Sequence, residues 1–252
     1  MKSIGWFTTA RGPGSFNLFK TMMDNIKNGS IDAKISFVFI NREVKGNQFR
    51  SKLIGMAEQA GIPVILLPSD TFEPELKERD LLAWRDAYGK AMRERISKYH
   101  MDFGALAGYM LILDPETCRK YMIINLHPAL PDTYKGTWEE IVAKVVDNKD
   151  KRYGATVHLC TPELDRGETL CYDSFLLEGI RTKYTERDDQ IRHVRAEELK
   201  REAFLLIGTI KKIVDGDIVI KDGKAFDKNG AKLGNHNCLA DHIDTKISER
   251  ID

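Results

Sequence analysis

Short apolar runs alternating with segments of helical period constrain this chain more than any other feature. Residues 4–8, 35–40 and 63–67 each have the length of a buried strand. Between them lie Leu18, Phe19, Met22, Met23 and Ile26, then Leu53, Met56, Ala57 and Ala60, both at helical spacing. An order of strand, helix, strand, helix, strand demands a parallel sheet joined by right-handed crossovers. The alternation continues through apolar runs at 103–108, 121–126 and 155–160, with helical patterns at 81–99 and 136–148. The expected fold is α/β: a Rossmann-like, open, mostly parallel sheet flanked by helices. A long, highly charged helix is expected over 187–213, followed by a small β-hairpin extension over 217–226 with Gly223 as the turn residue.

The chain has 252 residues, 42% of them hydrophobic and 31% charged, which is ample for a real core. Its formal charge of +1 gives no reason to expect nucleic acid or an anionic membrane as a partner. The first residues are too polar for a signal peptide, and no apolar run approaches the ~20 residues of a membrane span. Cys118, Cys160, Cys171 and Cys238 are widely spaced without a CxxC, so a cytoplasmic protein with reduced thiols is expected. The segment 69–78 reads as an acidic, proline-containing loop or lid. Residues 1–233 read as one domain and 234–252 as a polar, mobile tail. His236, Cys238, Asp241 and His242 in that tail could be drawn as metal ligands, but their spacing fits no standard zinc pattern.

Two places carry chemistry. The apolar run at 121–124 leads into Asn125-Leu126-His127-Pro128, where the proline ends the strand. An amide and an imidazole therefore stand at the strand's C-terminal lip, where open α/β sheets bind ligands. Near the N-terminus, the glycine-containing loop 9–17 joins a strand to a helix and makes a natural anion site. It lacks the lysine of a P-loop, and Asn17 stands where a dinucleotide fingerprint has its third glycine, so a bare turn is an equal reading. Taken alone, Arg85 reads as a solvated charge and Asp165 as a turn residue in a Pro/Gly loop.

Together these stretches resemble a known family. The run from Leu106 through Gly108-Tyr109-Met110 to Leu113, then Ile124-Asn125-Leu126-His127-Pro128, Gly154-Ala155-Thr156-Val157-His158 and Leu164-Asp165-Arg166-Gly167 are similar to the glycinamide ribonucleotide formyltransferases. These share their catalytic domain with other 10-formyltetrahydrofolate-dependent formyltransferases, and the likeness runs over residues 1–233. It implies direct formyl transfer from N10 of 10-formyltetrahydrofolate to a primary amine, with Asn125, His127 and Asp165 as the catalytic residues and no metal. It further implies that Gly12, Gly14, Ser15, Asn17, Arg85 and Glu202 bind a phosphorylated amine. Met110, Leu111, Leu113, Thr161, Leu164 and Gly167 would line the folate pocket. The expected partners are small molecules, in a monomer or homodimer.

The chain departs from the family pattern at Phe16, inserted in the Gly-Ser-Asn turn, and at Leu111, where many relatives carry an arginine. It departs also at 129–132, Thr137-Trp138-Glu139, Leu199 and the insertion at 69–83. These positions border the amine and folate sites rather than the catalytic residues. Another amine such as a sugar nucleotide, hydrolysis of formyltetrahydrofolate, and a folate- or nucleotide-binding regulator without turnover are the alternatives. Methionyl-tRNA formyltransferases carry a further C-terminal domain, for which few residues are left here.

Overall fold

The computed structural model describes residues 1–234 and 237–249. Their elements fall into two compact units, one of residues 1–125 with 159–167, the other of 126–158 with 168–252. The elements begin with β1 (Lys2–Thr8), α1 (Pro13–Lys27), β2 (Ala33–Ile40), α2 (Gln48–Gln59) and β3 (Val64–Leu66). Next come α3 (Pro74–Arg79), α4 (Leu81–Ile96), β4 (Phe103–Leu106), α5 (Pro115–Lys120) and β5 (Ile123–His127). Then follow α6 (Trp138–Asp147), β6 (Arg152–Tyr153), β7 (Thr156–Leu159), β8 (Thr169–Tyr172), β9 (Phe175–Leu176) and α7 (Glu178–Lys183). The chain continues with α8 (Arg187–Val214), β10 (Ile218–Lys221), β11 (Lys224–Asp227) and α9 (Ala240–Ser248). The main sheet has the order β3-β2-β1-β4-β5-β7-β8. Its pairings β1–β2, β1–β4, β2–β3 and β4–β5 are parallel, and β8 runs antiparallel to β7. The α/β expectation is met, with the long helix and the hairpin in place.

In the first unit, Phe7, Phe37, Phe39, Trp84, Tyr88 and Met92 form one aromatic-rich cluster. Trp84 and Tyr88 stack at 5.0 Å, and Trp84 Nε1–H donates to the Phe72 carbonyl at 2.8 Å, tying the segment before α3 to α4. That segment differs from the expected loop. Pro74 at the first helical position favours a helix start, and the short α3 forms although it buries none of its residues.

In the second unit, Ile141, Val142, Val145 and Val146 of α6 pack with Tyr153, Phe175 and Val194. The start of α6 carries a capping box between Thr137 and Glu140, which replaces orphaned N–H groups with reciprocal bonds. Arg201 of α8, about 5% exposed, grips Asp173 through Nε at 2.6 Å and Nη2 at 2.8 Å, and reaches Asp244 of α9 through Nη1 at 2.6 Å. Ile243 of α9 is fully buried. The stretch expected to be a mobile tail thus carries a docked helix. Asn237–Leu239 also bonds along Tyr172 of β8, covering an edge strand that would otherwise expose a row of unpaired groups. His236, one of the four tail residues that could be drawn as metal ligands, lies outside the described residues. Among the described residues no helix is long and apolar enough to cross a membrane.

Candidate active site

β5 is short and buried at its start, and it ends where Pro128 removes the next ladder donor. Side chains two apart on a strand share a face, so Asn125 and His127 point to the same side of the sheet at its C-terminal lip. The first belongs to the first unit and the second to the other.

His127 is about 7% exposed, and its Nε2 lies 2.9 Å from the Tyr134 carbonyl oxygen. A carbonyl only accepts, so Nε2 carries the proton. Tyr134 is held in turn: its hydroxyl donates to Asp150 Oδ2 at 2.6 Å and accepts from Asn148 Nδ2 at 2.9 Å. The turn that follows is pinned by two further hydroxyls. Tyr153 Oη stands 2.7 Å from the Pro128 carbonyl, and Thr156 Oγ1–H donates to the Ala129 carbonyl at 2.7 Å. The buried His158 ring meets His127 edge-on at 5.9 Å. His158 stands in the Gly154-to-His158 stretch without a task in the sequence, and β7 is buried at all its positions, so alternation does not single it out.

In the first unit, Asp165 sits in the loop after β7 with φ near 51°, a backbone region where Asp is among the tolerated residues. Gly167 closes that loop so tightly that a Cβ there would fall 1.7 Å from the Leu159 carbonyl oxygen. Thr161 Oγ1–H donates to the Glu163 carbonyl at 2.8 Å, and Leu164 is exposed. The Cys160 thiol is pushed well above its ordinary value by desolvation, then by Cys118 and Asp165, so it is held as a poor nucleophile. We expect Gly167→Ala to lower thermal stability by about 1–3 kcal/mol through backbone displacement. A melting curve unchanged from the parent would show that the loop yields freely.

The N-terminal loop is stitched from several sides. Thr9 N–H donates to the Gly108 carbonyl at 3.0 Å, Met110 N–H to Thr9 Oγ1 at 2.9 Å, and Arg50 Nε–H to the Thr9 carbonyl at 3.3 Å. Asn47, the N-cap of α2, also donates to the Arg11 carbonyl at 2.8 Å. The helix begins at Pro13 rather than Leu18, so Gly14, Ser15 and Asn17 are helical, with Gly12 as an N-cap that makes no side-chain cap bond. Ser15 approaches Gly108 so closely that a Cβ on Gly108 would lie 2.5 Å from Ser15 Oγ. The structure thereby brings Ser15 beside the 108–110 turn. Asn17 is exposed, one turn along α1.

Arg85, half-buried on α4, lines a small hollow with Trp84, Tyr88, Tyr109 and Leu113. Gly14 and Ser15 do not line it. Leu113 belongs to the aromatic cluster and Leu111 packs on it, while Met110 is exposed. Glu202, in the second unit, is buried and bonded by Arg195 Nη1 at 2.6 Å. Desolvation raises its carboxyl above the ordinary range against the pull of that guanidinium.

An amide and a histidine on one face of a strand end suit acyl or formyl transfer without a covalent enzyme intermediate. The formyl transferase family profile matches residues 12–196. The chain belongs to the formyl transferase family. Phosphoribosylglycinamide formyltransferase of Escherichia coli K12 is 29% identical over 159 residues, covering 62% of this chain and 66% of that protein. The chain spans from about half to just under two thirds of the length of the first curated relatives it matches. The phosphoribosylglycinamide formyltransferase structure from Coxiella burnetii superposes with a TM-score of 0.71 at 20% identity, covering 93% of this chain and 98% of that one. A formyltetrahydrofolate deformylase from Pseudomonas syringae gives 0.67 at 21% identity, covering 90% of this chain and 65% of that one.

Proposed function

We propose that this protein transfers the formyl group of 10-formyltetrahydrofolate to the primary amine of glycinamide ribonucleotide. The observation that carries the reading is the strand end itself: Asn125 and the anchored His127 share one face of the sheet within a formyl transferase family chain. The amine nitrogen attacks the formyl carbon and builds a tetrahedral oxyanion; collapse breaks the bond from carbon to N10. The Asn125 amide donates to that oxyanion. The His127 ring, held at Nε2 by the Tyr134 carbonyl, is the second group facing that oxyanion. Asp165 takes up the proton that leaves the amine, through water, and N10 receives one in exchange.

The acceptor's phosphate would rest on the first turn of α1, where Gly14 and Ser15 offer N–H groups that the helix cannot pair internally. Arg85 would add a charge, and Glu202 would reach the ribose with the oxygen not given to Arg195. Folate would lie along Met110, Leu111 and Leu113 and against Thr161, Leu164 and Gly167.

Purified protein given 10-formyltetrahydrofolate and a panel of amines should convert the folate, followed by absorbance, with glycinamide ribonucleotide as the best acceptor. Conversion with a sugar-nucleotide amine alone would sink the purine assignment, and folate conversion with formate release in the absence of any amine would identify hydrolysis. Arg85→Ala should raise the acceptor KM about tenfold with kcat nearly unchanged, as loss of uniform binding requires. An unaltered KM would remove Arg85 from the acceptor site.

A further inference from the structure

The turn behind His127 is tied to a buried charge cluster, of which the reaction outlined above uses only Glu202. Tyr153 Oη lies 2.7 Å from the Pro128 carbonyl and 2.9 Å from Glu198 Oε1. The other oxygen, Glu198 Oε2, meets Arg195 Nη1 at 2.6 Å, and Glu202 Oε1 meets the same nitrogen at 2.6 Å. Arg195 also stacks over the Trp138 ring at 4.9 Å. Tyr153 and Glu198 are each about 1% exposed.

Two counts constrain the protons here. One guanidinium faces two buried carboxylates, so with both ionised the cluster carries a net negative charge out of water, which is costly. One added proton makes it neutral. The hydroxyl settles which carboxylate takes it. Burial and the neighbouring Glu198 charge raise Tyr153 far above its ordinary range, so it keeps its single hydrogen. A carbonyl and an ionised carboxylate would both be acceptors, and one hydrogen cannot serve two contacts this short. If Glu198 is protonated, it donates to Tyr153 Oη, and Tyr153 donates to the Pro128 carbonyl. Both contacts then have a hydrogen.

We propose that Glu198 is held as a neutral carboxylic acid and, through Tyr153 and the Pro128 carbonyl, positions the turn that carries His127. The inference rests on the formyl-transfer reading for its kinetic consequence and on the cluster alone for the protonation state. The titratable groups facing Glu198 among the described residues are Glu202 and Arg195 from its own helix and Tyr153 from β6. Desolvation first, then the Glu202 charge, raise Glu198 to about 8, against the opposing effects of Arg195 and Tyr153. Because the folded-state value lies above the ordinary carboxyl value, the stabilising contribution is complete below that ordinary value. It is lost as the pH rises through about 8. Above that, the ionised Glu198 competes for the Tyr153 hydrogen and the Pro128 carbonyl loses its donor.

Infrared difference spectra of the full chain between about pH 6.5 and 9.5 should show loss of a carboxylic-acid C=O band, and Glu198→Gln should abolish that loss. The His127 Cε1–H resonance should shift with a midpoint near 8 in the parent and not in Glu198→Gln, whose amide stays neutral and still donates to Tyr153. In kinetics, kcat should fall on the alkaline side with that midpoint in the parent only. Tyr153→Phe should cut kcat about tenfold with the acceptor KM within about twofold. An infrared loss that persists in Glu198→Gln, or a His127 midpoint near 8 that persists in Glu198→Gln, would overturn the proposal. A parent protein that passes both spectroscopic tests but transfers no formyl group would leave Glu198 assigned and count against the reaction instead.

Discussion

His127→Ala and Asp165→Asn are each expected to reduce formyl-transfer turnover by about 10²-fold or more, the scale typical of a positioned proton-transfer or oxyanion group. His127 is anchored from its rear nitrogen by the Tyr134 carbonyl, and Tyr134 by Asp150 and Asn148. Removing the imidazole takes away both a donor and the chargeable group, so kcat should fall while binding of the folate survives. Asp165→Asn keeps the size of the side chain in a loop already tightened by Gly167, which isolates the loss of a proton acceptor from loss of fold. Single-turnover rates for both variants, with circular dichroism to verify folding, make the check. Near-parental rates in both would remove these residues from the chemistry.

The largest stability effect is expected at Arg201. Its guanidinium is buried with Asp173 in a two-bonded fork and carries Asp244 on its third nitrogen. Arg201→Ala would leave the Asp173 carboxylate, about 2% exposed, without its countercharge. Breaking a buried pair from one side costs about 3–5 kcal/mol, whereas replacing both partners with apolar residues is often neutral. Arg201→Ala should therefore lower the melting temperature by about 6–20 °C, using ~2–4 °C per kcal/mol for a domain of this size. Arg201→Met combined with Asp173→Leu should recover much of it. Equal melting temperatures for the parent and Arg201→Ala would mean that the pair stabilises nothing.

Much of the scaffold was legible because its elements announce themselves locally. β2 ends in the apolar run Phe37-Val38-Phe39-Ile40, α8 sustains its period over 28 residues, and the hairpin turns where Asp222 and Gly223 both take positive φ. Pro128 marked the strand end that presents Asn125 and His127. Where the reading differed, local chemistry was ambiguous. Gly12, Pro13 and Gly14 look like loop, yet a proline at the first helical position costs nothing there, so α1 begins at Pro13, earlier than its apolar pattern. The short α3 buries none of its residues and α9 buries only Ala240 and Ile243, too few for a period to be seen. Contacts across long separations left no trace at all. Arg201 and Asp173 are 28 positions apart and Tyr153 and Glu198 are 45 apart. Only the spacing of Arg195, Glu198 and Glu202 hinted that the three share a helix face.

The docking of α9 bears on how the chain is made. Asp173 precedes Arg201 in the chain and is already synthesised when Arg201 appears, but Asp244 and the buried Ile243 emerge after it. Synthesis from the N-terminus thus delivers the second unit with one guanidinium nitrogen and one apolar socket unfilled until α9 has left the ribosome. During that interval the exposed socket is a point of vulnerability to aggregation. A nascent chain stalled before residue 240 should accordingly be more protease-sensitive over 168–214 than one released past residue 249.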